Sequence, residues 1–165
     1  MSPLGYFAGK WLGASMLLGI YTIAAPAVLW IVAFSTTEDD DFVAASGLPM
    51  IRVLLALAAF TGLVSAFAVG FSTCFRRPNA ASIAWALAMV GLSAVTDVFA
   101  EIVPESGWIR ALGPWSALVR VTEAAAGVTK PSSTPLGPAL LVLGVAAVLL
   151  GRAVQRRLRV TEAIA

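Results

Sequence analysis

The sequence predicts an all-α polytopic membrane helical bundle: four transmembrane helices plus an external amphipathic or re-entrant helical hairpin. Three observations predict it. Four uncharged runs, Trp11 to Phe34, Val53 to Phe75, Ala80 to Thr96 and Pro131 to Gly151, are 17 to 24 residues long. As helices they reach roughly 26–36 Å, against about 30 Å of bilayer hydrocarbon. The 165-residue chain is 59% apolar and only 12% charged, about half the charged share of a soluble domain. Between the third and fourth runs lies a tryptophan-bearing stretch with helical spacing. One membrane domain over 1–165 follows, with spans at about 11–34, 53–75, 80–100 and 135–153 and an external interfacial segment over 104–130.

The first span carries Pro26, which cannot donate to the carbonyl of Thr22 and is expected to kink the helix there. Lys10, the following apolar run and the triplet Ala25-Pro26-Ala27 have the form of a signal peptide with its cleavage site. The run continues through Val28 to Phe34, however, beyond the length of a signal core.

The second span repeats small residues every fourth position, at Ala58, Gly62, Ala66 and Gly70. Residues i and i+4 share a face, so another helix is expected to approach closely there, either within the chain or from a second copy. In the fourth span Gly137, Gly144 and Gly151 recur every seven residues and form a similar seam. Cys74 is the lone cysteine, so no intrachain disulfide forms; the expectation is a small buried apolar residue.

The third span starts after the basic turn Arg76-Arg77-Pro78-Asn79, whose proline and asparagine separate two helices. It ends at Asp97 and Glu101, four apart and on one face with Ser93. Two dry carboxylates there would repel, so water reaches them or one is protonated or paired. They are the candidate transport-path residues, set against a simply solvated helix end. In the external stretch Trp108, Leu112, Trp115 and Val119 follow helical spacing, and Gly113-Pro114 divides it in two. Tryptophan favours the headgroup region, so interfacial or re-entrant half-helices are expected.

Basic residues set the expected orientation. Lys10, Arg76, Arg77, Arg152, Arg156, Arg157 and Arg159 fall on the side of both termini, while Arg52, Arg110, Arg120 and Lys130 fall opposite with the acidic run Glu38 to Asp41. Seven against four places both termini in the cytoplasm of a multi-pass cell-membrane protein. A net charge of +2 suggests no nucleic-acid partner, and the absence of histidine removes imidazole ligation and the commonest general base. No cofactor, metal site or catalytic residue is expected, since serine and cysteine lack a histidine partner and no phosphate-binding loop is present. Enzymatic activity is accordingly not expected.

The succession of features resembles the membrane permease subunits of type 2 ABC transporters, the exporter-like class. The residues that carry the likeness are Pro3-Leu4-Gly5-Tyr6-Phe7-Ala8-Gly9-Lys10, the run Phe71 to Ala81 with Arg76-Arg77, the two-piece external hairpin and the basic tail. The resemblance implies that Gly9, Lys10, Arg76 and Arg77 contact a separate ATP-binding cassette subunit. It also implies re-entrant helices over Trp108 to Val128, and a second permease copy or another chain supplying two further spans. The expected function is a permease component of an ATP-driven exporter, working by alternating access within the lipid bilayer. The alternative is a small non-transporting membrane protein that scaffolds or regulates a partner complex.

Overall fold

In the computed structural model, residues 3–37, 40–75, 77–103, 107–128 and 132–162 are described. The helices are α1 (Pro3–Thr36), α2 (Asp40–Ser72), α3 (Pro78–Ala86), α4 (Leu92–Ile102), α5 (Pro114–Ala126) and α6 (Leu136–Glu162). A π-helical segment, Leu87–Gly91, joins α3 to α4, and a 3₁₀ segment, Gly107–Leu112, precedes α5. Four stretches are long and apolar enough to cross a membrane: Gly5–Thr36, Ser46–Ser72, Pro78–Ile102 and Leu136–Arg156. The fold is the expected all-α polytopic bundle.

The packing is inside-out relative to a water-soluble protein. The buried side chains include Thr61, Ser65, Ser93, Thr96 and several alanines, whereas Met16, Leu29, Leu55, Leu87 and Leu141 are among many large apolar residues left exposed. In water this would forfeit the main driving force of folding. In lipid the tails are as apolar as leucine, so small and hydroxylated residues go to the helix contacts, where backbones approach and hydrogen bonds form.

α1 packs against α2. Its half-buried residues Trp11, Ser15, Gly19, Thr22, Pro26 and Trp30 recur at three- or four-residue steps, the spacing of one helix face. At mid-span the Thr22 and Thr61 hydroxyls are 2.7 Å apart, and each also lies within 3 Å of the carbonyl one turn before it, Leu18 or Leu57. From nearer the start of α1, the Trp11 indole reaches the next residue along α2 and donates to the Gly62 carbonyl at 2.9 Å. α1 continues as one helix through Pro26.

Several ends and seams differ from expectation. α1 reaches back to Pro3, so Gly9 and Lys10 are helical, and α2 begins at Asp40, so Arg52 lies inside a helix that also accommodates Pro49. Of the acidic run, Glu38 and Asp39 lie outside the described residues, as do Arg76 and Lys130. The stripe on α2 serves two neighbours: a methyl group added at Gly62 would meet the Trp11 ring at 3.9 Å, and one at Gly70 would meet Leu150 of α6 at 3.6 Å. Ala58 is exposed and Ala66 half-buried. The seam on α6 faces outward, with nothing within 4 Å of a methyl group at Gly137, Gly144 or Gly151; α6 instead packs through Ala139 and Leu143. Cys74 is exposed rather than buried, with Sγ 3.8 Å from the Gly70 carbonyl.

The π segment is the feature with most consequence for the site. The Leu92 amide bonds to the Leu87 carbonyl, five residues back, so one extra residue is fitted into the turn. That insertion rotates everything after Gly91 by about 100° relative to an unbroken helix. With this phase Ser93, Thr96 and Ala100 are buried and Asp97 half-buried, while Leu92, Val95, Val98, Phe99 and Ile102 are exposed.

Deleting Val90 should restore α-helical phase and swing the Ser93–Thr96–Asp97 face toward lipid, whereas Val90→Ala, at an exposed position, should be near neutral. Thermal unfolding in detergent checks this; equal stability of the two variants would contradict a structural role for the π segment. By the same assay Gly62→Leu and Gly70→Leu should each cost about 1–3 kcal/mol by overpacking. Leu63→Ala, at an exposed position, should cost less.

Candidate functional site

The site is built where the segment between the third and fourth spans folds back into the bundle. Gly113 and Pro114 form the tip, with Pro114 at the first position of α5, where its missing amide costs nothing. The tip lies against Ser93, and Ser93 is nine residues inside the end of α4 at Ile102, a depth of about 13.5 Å along the helix. On the other side Trp115 meets Phe60 edge-on, ring centroids 5.6 Å apart at 80°. Phe60 is fourteen residues from Ser46 and twelve from Ser72, the ends of the apolar segment of α2. The hairpin is therefore re-entrant, its tip near mid-span.

Driving a turn to this depth leaves backbone donors at a helix start without water. The neighbouring span supplies partners. The Trp115 amide donates to Ser93 Oγ at 3.0 Å, and the Ser116 hydroxyl approaches Asp97 Oδ1 at 3.5 Å. Asp97 thus sits beside the first turn of α5, where a negative charge opposes the positive end of the helix dipole. Approach this close needs glycine at the tip. A methyl group on Gly113 would fall 2.6 Å from Thr96 Oγ1 and 2.9 Å from Ser93 Cα.

From the tip, α5 returns over thirteen residues, about 19 Å, and stops at Gly127. With φ 75°, Gly127 adopts the left-handed conformation open to glycine. The amides of Gly127 and Val128 then bond back to the carbonyls of Ala124 and Glu123, closing the helix end. Ala111, Ala117 and Ala139 are fully buried where the 3₁₀ segment, α5 and α6 meet. Alanines permit that close contact.

Between the hairpin and α4 lies a cavity of about 370 Å³, lined by Asp97, Glu101, Arg110, Ser116, Trp115 and Val119 together with residues Ser132 to Thr134. Its rim is tied by polar contacts. Arg110 Nη1 donates to Ser133 Oγ, Arg120 Nε donates to the Thr134 carbonyl at 2.8 Å, and the Ser132 amide donates to Glu123 Oε2 at 2.8 Å. Two arginines and a glutamate thereby strap the segment before α6 onto the hairpin. Chemically the cavity offers two carboxylates, a guanidinium and hydroxyl groups around an aromatic wall, a surface suited to a hydrated polar solute. Among the described residues no group of three or more metal-ligating side chains occurs.

The structure brings together Asp97 and Glu101, as their four-residue spacing indicates, and joins them to Arg110, Ser116 and Thr134 from elsewhere in the chain. Gly9, Lys10 and Arg77 are exposed and lie away from this cavity, near the junction of α2 and α3. Thr96 and Phe60 were not legible as site residues. The signal for Thr96 is its three-residue spacing from Ser93, which puts two small hydroxyls on one face; nothing in the local sequence around Phe60 announces the Trp115 contact.

Gly113→Ala should destabilise the protein by about 1–3 kcal/mol, because the obstructing atoms include α4 backbone. Gly144→Ala, made in open space within a helix, should be neutral or stabilise by up to about 1 kcal/mol. Thermal unfolding of both variants in detergent checks the contrast. No protein-family model, no curated protein and no solved structure matches the chain.

Proposed function

We propose that the chain is a permease component of an exporter-type ABC transporter, with the re-entrant hairpin closing the outer end of its translocation path. The observation that supports this reading most is the hairpin itself. It enters between the last two spans and turns near mid-span at Gly113-Pro114. It also holds a polar cavity against α4 in a bundle whose other surfaces are largely apolar. On this reading Asp97 and Glu101 line the outer path. Movement of α5 against α4 would break the Trp115–Ser93 and Ser116–Asp97 contacts and open it, a small rigid-body shift of the kind alternating access requires.

The side of the termini would face the cytoplasm, as the basic residues indicate. There Gly9, Lys10, Arg76, Arg77 and the basic tail would meet the ATP-binding cassette subunit, and a second copy or another chain would complete the helices of the path.

The test is affinity purification of the intact chain from its native membrane. A nucleotide-binding ATPase subunit should be recovered with the wild type, and Arg76→Glu/Arg77→Glu should weaken its recovery more at low than at high salt. Recovery of a different membrane complex with no ATPase, under conditions that preserve wild-type topology, would replace this reading with the scaffold alternative.

A further inference from the structure

A second cavity, of about 390 Å³, opens at the other end of the bundle between α1, the end of α2 and the start of α3. We propose that it binds an anionic phospholipid with a hydroxylated headgroup, of which phosphatidylglycerol is the simplest. This inference is independent of the transport reading.

Position comes first. Lys10, Ser72, Phe75 and Ser82 line the cavity where spans end, the level at which headgroups lie. Its inner wall is the buried Ala81 and the Trp85 ring. Phe71 fixes that wall, with its centroid 5.2 Å from Phe75 and 5.7 Å from Trp85. Aromatic rings at this level are ordinary anchors; here they also form the side of an indentation large enough for a ligand group.

Charge comes next. Among the described residues Lys10 is the charged group that lines the cavity, and no carboxylate does. Its ammonium lies 4.6 Å from the Tyr6 ring centroid, a contact that holds the charge near the opening. Among the described acidic residues, Asp40, Asp41, Asp97, Glu101 and Glu123 lie toward the opposite end of the bundle, and Glu162 is the last residue of α6. Lys10, Arg77 and the α6 positions Arg152, Arg156, Arg157 and Arg159 share this end with it. A phosphodiester is the membrane's complement to such a surface.

The hydroxyl groups sharpen the choice of headgroup. Ser72 Oγ donates to the Val69 carbonyl at 2.7 Å and Ser82 Oγ to the Pro78 carbonyl at 3.2 Å. Both protons are engaged, so each oxygen offers the cavity acceptor capacity. A phosphate has only acceptors and pairs with Lys10, while a glycerol headgroup brings hydroxyl donors for the serines. The start of α3 at Pro78, which borders the cavity, has no side-chain cap, consistent with a nearby anion.

Native mass spectrometry of the purified full chain with equimolar phosphatidylglycerol and phosphatidylcholine tests the proposal. The wild type should retain phosphatidylglycerol preferentially, and Lys10→Gln should lower that preference about fivefold, with Lys10→Arg restoring most of it. Ser82→Trp, which fills the cavity without changing charge, should lower it as well. Arg152→Gln, which removes a charge at the same end but away from the cavity, should leave it unchanged. An equal loss with Arg152→Gln, or full retention with a folded Ser82→Trp, would overturn the site in favour of diffuse attraction. Displacement of the lipid by millimolar inorganic phosphate would overturn the lipid assignment in favour of a soluble phosphate.

Discussion

A turn of backbone placed near the middle of a bilayer must find all its hydrogen-bond partners in protein, and the architecture of this chain follows from that requirement at Gly113-Pro114-Trp115. Each unsatisfied amide in hydrocarbon costs several kcal/mol. Proline removes one donor at the start of α5, and Ser93 Oγ accepts from the next. The Asp97 carboxyl stands beside the same turn, 3.5 Å from the Ser116 hydroxyl. These groups come from one face of α4, and that face is turned toward the hairpin by the π segment just before it. The extra residue at Leu87–Gly91, an irregularity in the third span, is thus what lets the hairpin enter.

The remaining packing follows the same economy. Helix contacts are made where side chains are small or hydroxylated, at Thr22 with Thr61, at Gly62 beneath Trp11, at Gly70 beside Leu150 and among Ala111, Ala117 and Ala139. Interhelical hydrogen bonds of this type contribute about 0.6 kcal/mol each on average, so no single one holds the bundle. Close backbone approach over many positions does. Ser15 and Ser65 carry buried hydroxyl oxygens without a partner among the described residues. Gly19 adjoins Thr61, and one turn along the antiparallel pair brings Ser15 and Ser65 to the same level, so polar groups recur along this interface.

Much of the fold was legible because bilayer thickness fixes the length of an uncharged run. The division of the external stretch at Gly113-Pro114 was also legible, since those residues break a helix wherever they stand. Its direction was not. Trp108, Leu112, Trp115 and Val119 have the same spacing in a helix lying on the surface and in one dipping inward, and only the contacts with Ser93 and Phe60 separate the two. The π segment leaves no local mark, because Leu87-Ala88-Met89-Val90-Gly91 would equally form an ordinary helix. The spacing of Gly137, Gly144 and Gly151 indicated a contact seam, yet the chain packs α6 through the neighbouring face that carries Ala139 and Leu143. A periodicity of small residues specifies a smooth face and leaves open what meets it.

The depth of the hairpin tip is the central claim, and a distance across the bundle measures it most directly. Spin labels at Phe60→Cys and Trp115→Cys, in a Cys74→Ala background and in lipid bilayers, report whether the tip reaches the middle of α2. The re-entrant fold predicts strong dipolar broadening, because the two native rings are in contact at 5.6 Å between centroids. A hairpin resting on the membrane surface would hold position 115 near the end of α2 at Ser46, about 21 Å away along the helix. Spectra without broadening would contradict the account.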